Sequence, residues 1–160
     1  MANPLPNEEE LYKKIKKEGI RLEPPIWDFI YQRMGDDLTA MNLICQYYLS
    51  KREPLPTVEA EKILVYTRDI KNVITTLTAT SQDKILFPQF KENINLDPKI
   101  RELITHHLGN DVYVINLIVG YNIDPSDSHP IPLEDIEKIL NRIRMIKEFL
   151  EKLREATLSN

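Results

Sequence analysis

The sequence predicts an all-α fold in which two repeated antiparallel helical hairpins pack as an intramolecular four-helix bundle, a pseudo-dimer, with a short N-terminal helix. Two observations lead to this prediction. The chain contains an internal repeat with an offset of 74 residues, and apolar residues in both copies recur at every third or fourth position, which is the helical period. A single hairpin buries too little apolar surface to be stable alone, so we expect the two copies to pack on each other.

The repeat is strongest between residues 18–47 and residues 92–121. A shift of 74 aligns these segments with 12 identical residues in 30 positions. A shift of 76 then aligns residues 54–71 with residues 130–147, where both copies carry paired prolines followed by the letters EKIL. The second copy therefore has a connection that is two residues longer.

These matches divide a single domain, residues 1–160, into two repeats. Repeat one spans residues 18–80 and repeat two spans residues 92–157, and residues 81–91 form the connector between them. Because each repeat is one hairpin, the pairing inside the chain replaces the pairing of two chains. We expect an internal pseudo-dimer that is monomeric.

Prolines and apolar stripes set the predicted helices. Proline is tolerated in the first turn of a helix, where its missing N–H is not needed, so Pro25 and Pro98 indicate helix starts. Proline-containing turns at residues 51–56 and 124–132 separate the arms of the two hairpins. The predicted helices span residues 7–17, 25–50, 57–80, 98–122 and 133–157.

Composition limits the classes of function. The net charge of −4 and the pI of about 5.5 give no electrostatic reason to expect binding to nucleic acid. The single cysteine, Cys45, cannot form an internal disulfide and is expected to be a buried apolar residue. No signal peptide and no apolar run of membrane-spanning length is seen, so we expect a cytoplasmic protein that does not bind membranes.

Two polar or flexible residue types recur at matched positions. Gly35 and Gly109 lie at the same repeat position inside predicted helices, where glycine is unfavourable, which indicates close approach of a neighbouring helix or of a docking partner. Asp37 and Asp111 also correspond, and we expect both carboxylates to face water.

The two copies differ at one chemically important position. His106 in repeat two corresponds to Gln32 in repeat one. His106 is predicted to lie on the solvent side of its helix, where an imidazole is available as a nucleophile or a proton carrier. Asn110 follows four residues later, hence one turn away on the same face. The adjacent His107 is expected nearer the edge of the core.

The stretch HHLGNDVYVINLIVGY, residues 106–121, resembles the first helix of the dimerisation and phosphotransfer domain of sensor histidine kinases. The resemblance implies that His106 is the phospho-accepting histidine and that Asn110 is the polar residue that supports phosphatase activity. It further implies two-component signalling, with a response-regulator receiver domain or a histidine kinase as partner, and no autonomous kinase activity because no nucleotide-binding box is present.

The chain departs from that family at two positions. The family usually has an acidic residue directly after the histidine, where this chain has His107, and repeat one has Gln32 in place of the histidine. At most one phospho-accepting histidine per bundle is therefore expected. The receiver is expected to dock on a patch around His106 that is free of acidic residues.

Two other functions remain open on sequence grounds. A bundle that only binds a partner, as an adaptor without phosphotransfer, would use an exposed apolar patch and would not depend on His106. A ribonuclease is a remoter alternative, because the spacing of Arg101 and His106 is similar to that in HEPN nucleases. Neither metal nor cofactor is expected, since His106 and His107 are adjacent and cannot face one ion from a regular helix.

Overall fold

The computed structural model of the protein describes residues 7–78 and 96–157, and most of these residues are helical. The prediction of an all-α fold is confirmed. The two helices of repeat two begin and end at the predicted residues, and the other described boundaries differ by one residue at most; the connector 81–91 and residues 79–80 lie outside the described residues. The helices are α1 Glu8–Glu18, α2 Pro24–Lys51, α3 Thr57–Thr78, α4 Pro98–Asn122 and α5 Leu133–Thr157.

Local chemistry explains the helix ends. α1 ends at Gly19, whose positive φ of 66° is the left-handed conformation that glycine adopts without strain. α2 has Pro24 in its first turn. α4 begins at Pro98, directly after Asp97, whose side chain accepts a hydrogen bond of 2.9 Å from the backbone N–H of Lys99.

The four long helices form a ring. α2 packs against α3 and α5, and α4 packs against the same two helices from the other side. α1 lies outside the ring, on α5 and α4. The hairpins α2–α3 and α4–α5 are thus exchanged by a pseudo-twofold rotation, as the repeat predicts.

The loops of the two hairpins meet on this pseudo-twofold axis. The backbone N–H of Leu55 donates to the Ile131 carbonyl at 2.9 Å, and the N–H of Ile131 donates to the Leu55 carbonyl at 2.8 Å. These two residues are equivalent at the shift of 76, and both are fully buried. Because Leu55 and Ile131 are equivalent in the repeat and bond to each other reciprocally, the pseudo-twofold axis passes between them.

Two predictions about the interior are wrong. Asp37 and Asp111 do not face water but are buried, with 9% and 2% of their surface exposed. Outside its own helix backbone, no atom of the described residues lies within 4 Å of a methyl group added at Gly35 or Gly109, so the predicted close approach of a neighbouring helix is wrong. The alternative of a docking partner at these glycines stays a prediction. Cys45 is buried as predicted, and burial raises the pKa of its thiol to about 12.

Candidate functional site

The outer face of α4 carries a line of five side chains, none of which is Asp, Glu, Lys or Arg. They advance by four, three, four and four residues, so they follow one another along the helix surface. Three of them are large and exposed, with 62% of Tyr113, 52% of Leu117 and 78% of Tyr121 accessible. We call this set the α4 stripe, and its members are His106, Asn110, Tyr113, Leu117 and Tyr121.

Charge is absent from the exposed part of this face. From Thr105 to Tyr121 the only Asp, Glu, Lys or Arg is Asp111, which is buried. At 1.5 Å per residue this segment is roughly 24 Å long. A solvent-facing helix of that length normally carries charged side chains, and α5 does so at Lys138, Arg144 and Lys147.

His106 lies at the N-terminal end of the stripe and is half-buried. It lines an open pocket of about 510 Å³ together with Asn110, so the structure brings the two predicted site residues together on one face. Arg101 lines the same pocket, and so does the exposed Glu102. The patch is therefore free of acidic residues only on the side of His106 that leads towards Tyr121.

His107 has a separate structural role. Its Nε2 contacts the Oε1 of Glu8 on α1, and its ring stacks on Phe149 of α5 with the ring centroids 4.7 Å apart. The rings of His107 and His106 pack edge to face, with their centroids 5.0 Å apart. The residue thus anchors α1 onto the groove between α4 and α5. The sequence placed His107 near the core edge but gave no sign of Glu8 as its partner, because the two residues are 99 positions apart.

A buried ion pair joins α4 to α5. Arg142 on α5 donates to Asp111 on α4 at 3.0 Å, and only 13% and 3% of the two side chains are exposed. Burial raises the pKa of Asp111, and the hydrogen bond and charge of Arg142 oppose that rise. The pair fixes α4 relative to α5.

The equivalent line on α2 differs at its N-terminal half. Leu43 and Tyr47 repeat Leu117 and Tyr121 and are likewise exposed, at 63% and 52%. Repeat one has no counterpart of the histidine, the asparagine or the first tyrosine of the α4 stripe. We call this set the α2 stripe, and its members are Gln32, Asp36, Thr39, Leu43 and Tyr47.

Comparisons with protein-family models, curated proteins and solved structures found no match to this chain. Within residues 7–78 and 96–157, no three or more His, Cys, Asp or Glu side chains are grouped so that they could hold a metal ion. The helices described for this chain also include none with the length and apolar character needed to cross a membrane.

Proposed function

We propose that this chain is a signalling bundle that binds the receiver domain of a response regulator through the α4 stripe. The observation that supports the proposal is the exposed, uncharged face that joins His106 and Asn110 to Tyr113, Leu117 and Tyr121. Aromatic residues surrounded by uncharged surface are typical of the centre of a protein interface. A partner that covers this stripe would also cover the pocket of His106.

In the proposed reaction His106 exchanges a phosphoryl group with the docked receiver. An imidazole nitrogen attacks the phosphorus of the receiver's aspartyl phosphate; the N–P bond forms, the P–O bond breaks, and the aspartate leaves as its carboxylate. The imidazole proton passes to water. The Arg101 guanidinium in the same pocket offsets the charge on the phosphoryl oxygens, and the Asn110 amide donates a hydrogen bond to one of them.

An adaptor without phosphotransfer is the second candidate. The observation that favours it is the recurrence of exposed Leu43 and Tyr47 on α2, in a repeat that has no histidine at the position of His106. Exposed leucine and tyrosine side chains at those positions contribute to docking whether or not chemistry follows. The two candidates differ in the role of His106, and the adaptor would also use Leu43 and Tyr47 of α2 for docking.

The test combines a binding and a transfer measurement on a panel of receiver domains that carry labelled phosphate. Wild-type protein is expected to bind a receiver and either to acquire acid-labile label or to accelerate its loss from the receiver. His106→Gln installs the residue of repeat one and is expected to keep binding while abolishing transfer. Leu117→Asp is expected to abolish both.

Leu43→Asp is the matched control, since it places the same charge at the equivalent exposed position of α2. It is expected to leave binding and transfer unchanged. Binding without any transfer by the wild type would replace the proposal with the adaptor function. Absence of binding across the panel would contradict the receiver as partner.

A further inference from the structure

Two grooves lie on opposite sides of the ring. One lies between α3 and α4 and contains a cavity of about 390 Å³; the other lies between α2 and α5 and contains one of about 380 Å³. The pseudo-twofold rotation exchanges them, and we call them the twin grooves. On the α3 and α5 walls of the grooves the repeat keeps four identical pairs, which are Glu61 and Glu137, Leu64 and Leu140, Arg68 and Arg144, and Lys71 and Lys147. On the outer faces of α2 and α4, beside the grooves, it keeps Leu43 and Leu117, and Tyr47 and Tyr121.

Leu64 and Leu140 pack against the core, but packing does not account for the exposed members of these pairs. Leu43 and Leu117 are more than half exposed, and Lys71 and Lys147 form no ion pair with any residue in the described part of the chain. Lys62 and Lys138 make a contrasting identical pair, since each forms an ion pair with an acidic residue of its own helix. The ammonium groups of Lys71 and Lys147 are therefore available to a partner.

α1 indicates what kind of element such a groove accepts. It lies on α4 and α5 and buries Tyr12 and Ile15, which are three residues apart on its inner face. Its acidic residues meet basic groups of the bundle at the rim. Lys152 donates to Glu9 at 3.0 Å and lies 4.5 Å from the Tyr12 ring centroid, and Lys99 pairs with Glu18 at 3.1 Å.

We propose that each twin groove binds an amphipathic helix from a partner protein, with acidic residues along the flank of its apolar face. Helix-in-groove docking places apolar residues three and four positions apart on the leucine and tyrosine side chains. The acidic flank then meets Arg68 and Lys71 in one groove, and Arg144 and Lys147 in the other. One basic residue near the end of the bound helix would meet Glu61 or Glu137.

One chain would therefore hold two such helices, on opposite sides of the ring. The proposed binding rests on the partner-binding role of the bundle but not on His106 or on phosphotransfer. It adds the α2–α5 groove as a site and names the chemistry of the bound segment. Transfer measurements and helix-binding measurements can accordingly succeed or fail independently.

The probe is a synthetic amphipathic peptide of about 18 residues, long enough to be partly helical, with leucines on one face and glutamates on its flanks. Titration calorimetry on the full chain is expected to give two peptides per chain, with binding that weakens as salt is added. A second peptide with lysine in place of each glutamate is the control and is expected to bind at least tenfold more weakly.

Single-groove variants locate the binding. Leu43→Asp and Leu117→Asp are each expected to reduce the stoichiometry from two to one, and the double variant to none. Arg68→Glu combined with Lys71→Glu is expected to weaken the acidic peptide about tenfold in one groove only. All of these positions are exposed, so the circular dichroism spectrum and melting temperature should stay close to those of the wild type.

Three results would overturn the proposal. Equal affinity for the lysine peptide would show that the grooves bind apolar peptides without selecting their charge. A stoichiometry that Leu43→Asp and Leu117→Asp leave unchanged would show that the peptide binds elsewhere on the chain. A wild-type dimer that becomes monomeric on Leu43→Asp would identify a second copy of the chain as the occupant. Peptide binding at two per chain with no receiver phosphotransfer would uphold the groove proposal and contradict only the phosphotransfer function.

Discussion

Asp37 and Asp111 occupy the same repeat position, but their carboxyl groups have different neighbours in the two hairpins. Arg142 of α5 donates to Asp111 at 3.0 Å, so this buried carboxylate has an opposite charge. Asp37 instead lies beside Asp69 of α3, and its Oδ2 is buried without a hydrogen-bond partner in the described residues. Arg33 approaches Asp69 at 3.8 Å.

The difference shows that the fold determines the burial of this aspartate in both repeats. A residue of the neighbouring helix then determines whether the carboxylate has an opposite charge beside it. The repeat position of Arg142 corresponds to Tyr66 in α3, so the first hairpin has no cation there. Burial, followed by the hydrogen bond and charge of Asp69, raises the pKa of Asp37 to about 8. Asp37 therefore holds its proton to a higher pH than an ordinary aspartate does.

The largest effect is expected for Asp111→Asn. The substitution keeps the shape of the side chain but leaves the mostly buried Arg142 without its counter-charge, which should lower the free energy of unfolding by about 3 kcal/mol at pH 7. Urea unfolding followed by circular dichroism measures this change. Adding Arg142→Met to the same chain should recover part of the loss, because it removes the unpaired charge. A loss below about 1 kcal/mol would mean that water reaches the pair.

The same substitution in the other repeat should act in the opposite direction. Asp37→Asn removes a buried carboxyl that ionises less readily in the folded chain than in the unfolded chain, so it should raise the free energy of unfolding by about 1–2 kcal/mol at pH 8. Below pH 4 the acid is protonated in both the folded and the unfolded chain, and the gain should vanish. Between these limits the unfolded wild type loses a proton that the folded state keeps, so wild-type stability falls as pH rises.

Urea unfolding of Asp37→Asn and wild type from pH 4 to pH 8.5 tests this behaviour. The difference in unfolding free energy between the two chains should grow with pH. A constant difference would mean that Asp37 is ionised throughout this range, and a destabilised variant would mean that the carboxylate has a partner in solution. Asp111→Asn serves as the comparison at each pH.

The sequence predicted the helices and the pseudo-twofold pairing but not the fate of these carboxylates. Apolar spacing and the internal repeat are properties of one segment and its copy, so they could be read directly. The partners of Asp37, Asp111 and His107 come from other helices, and their positions depend on how far each helix is rotated about its axis. His106 and Asn110 were placed on one face because four residues make nearly one turn; their continuity with Tyr113 and Leu117 follows from the same period.

A third asymmetry lies between α3 and α4. Thr67 donates to the Asn116 side chain at 2.6 Å, whereas the equivalent positions in the other interface hold Asn42 and Ile143, which cannot form this bond. Thr67→Val should lower the free energy of unfolding by about 1.5 kcal/mol, since it removes the donor inside a buried contact. Ile143→Val is the matched control for trimming a buried branched residue at the same repeat position. Equal losses in thermal unfolding would assign the effect to packing alone.

The smallest effects are expected at the two glycines that the repeats share. Gly35→Ala and Gly109→Ala add a methyl group where no atom lies within 4 Å, so each should stabilise its helix by about 0.8 kcal/mol. Equal gains in urea unfolding would show that neither glycine serves packing inside the chain. Gly109 lines the cavity between α3 and α4, so Gly109→Ala should also weaken binding of the acidic helical peptide in that groove. If Gly109→Ala leaves peptide binding unchanged, Gly109 has no role in docking of the peptide.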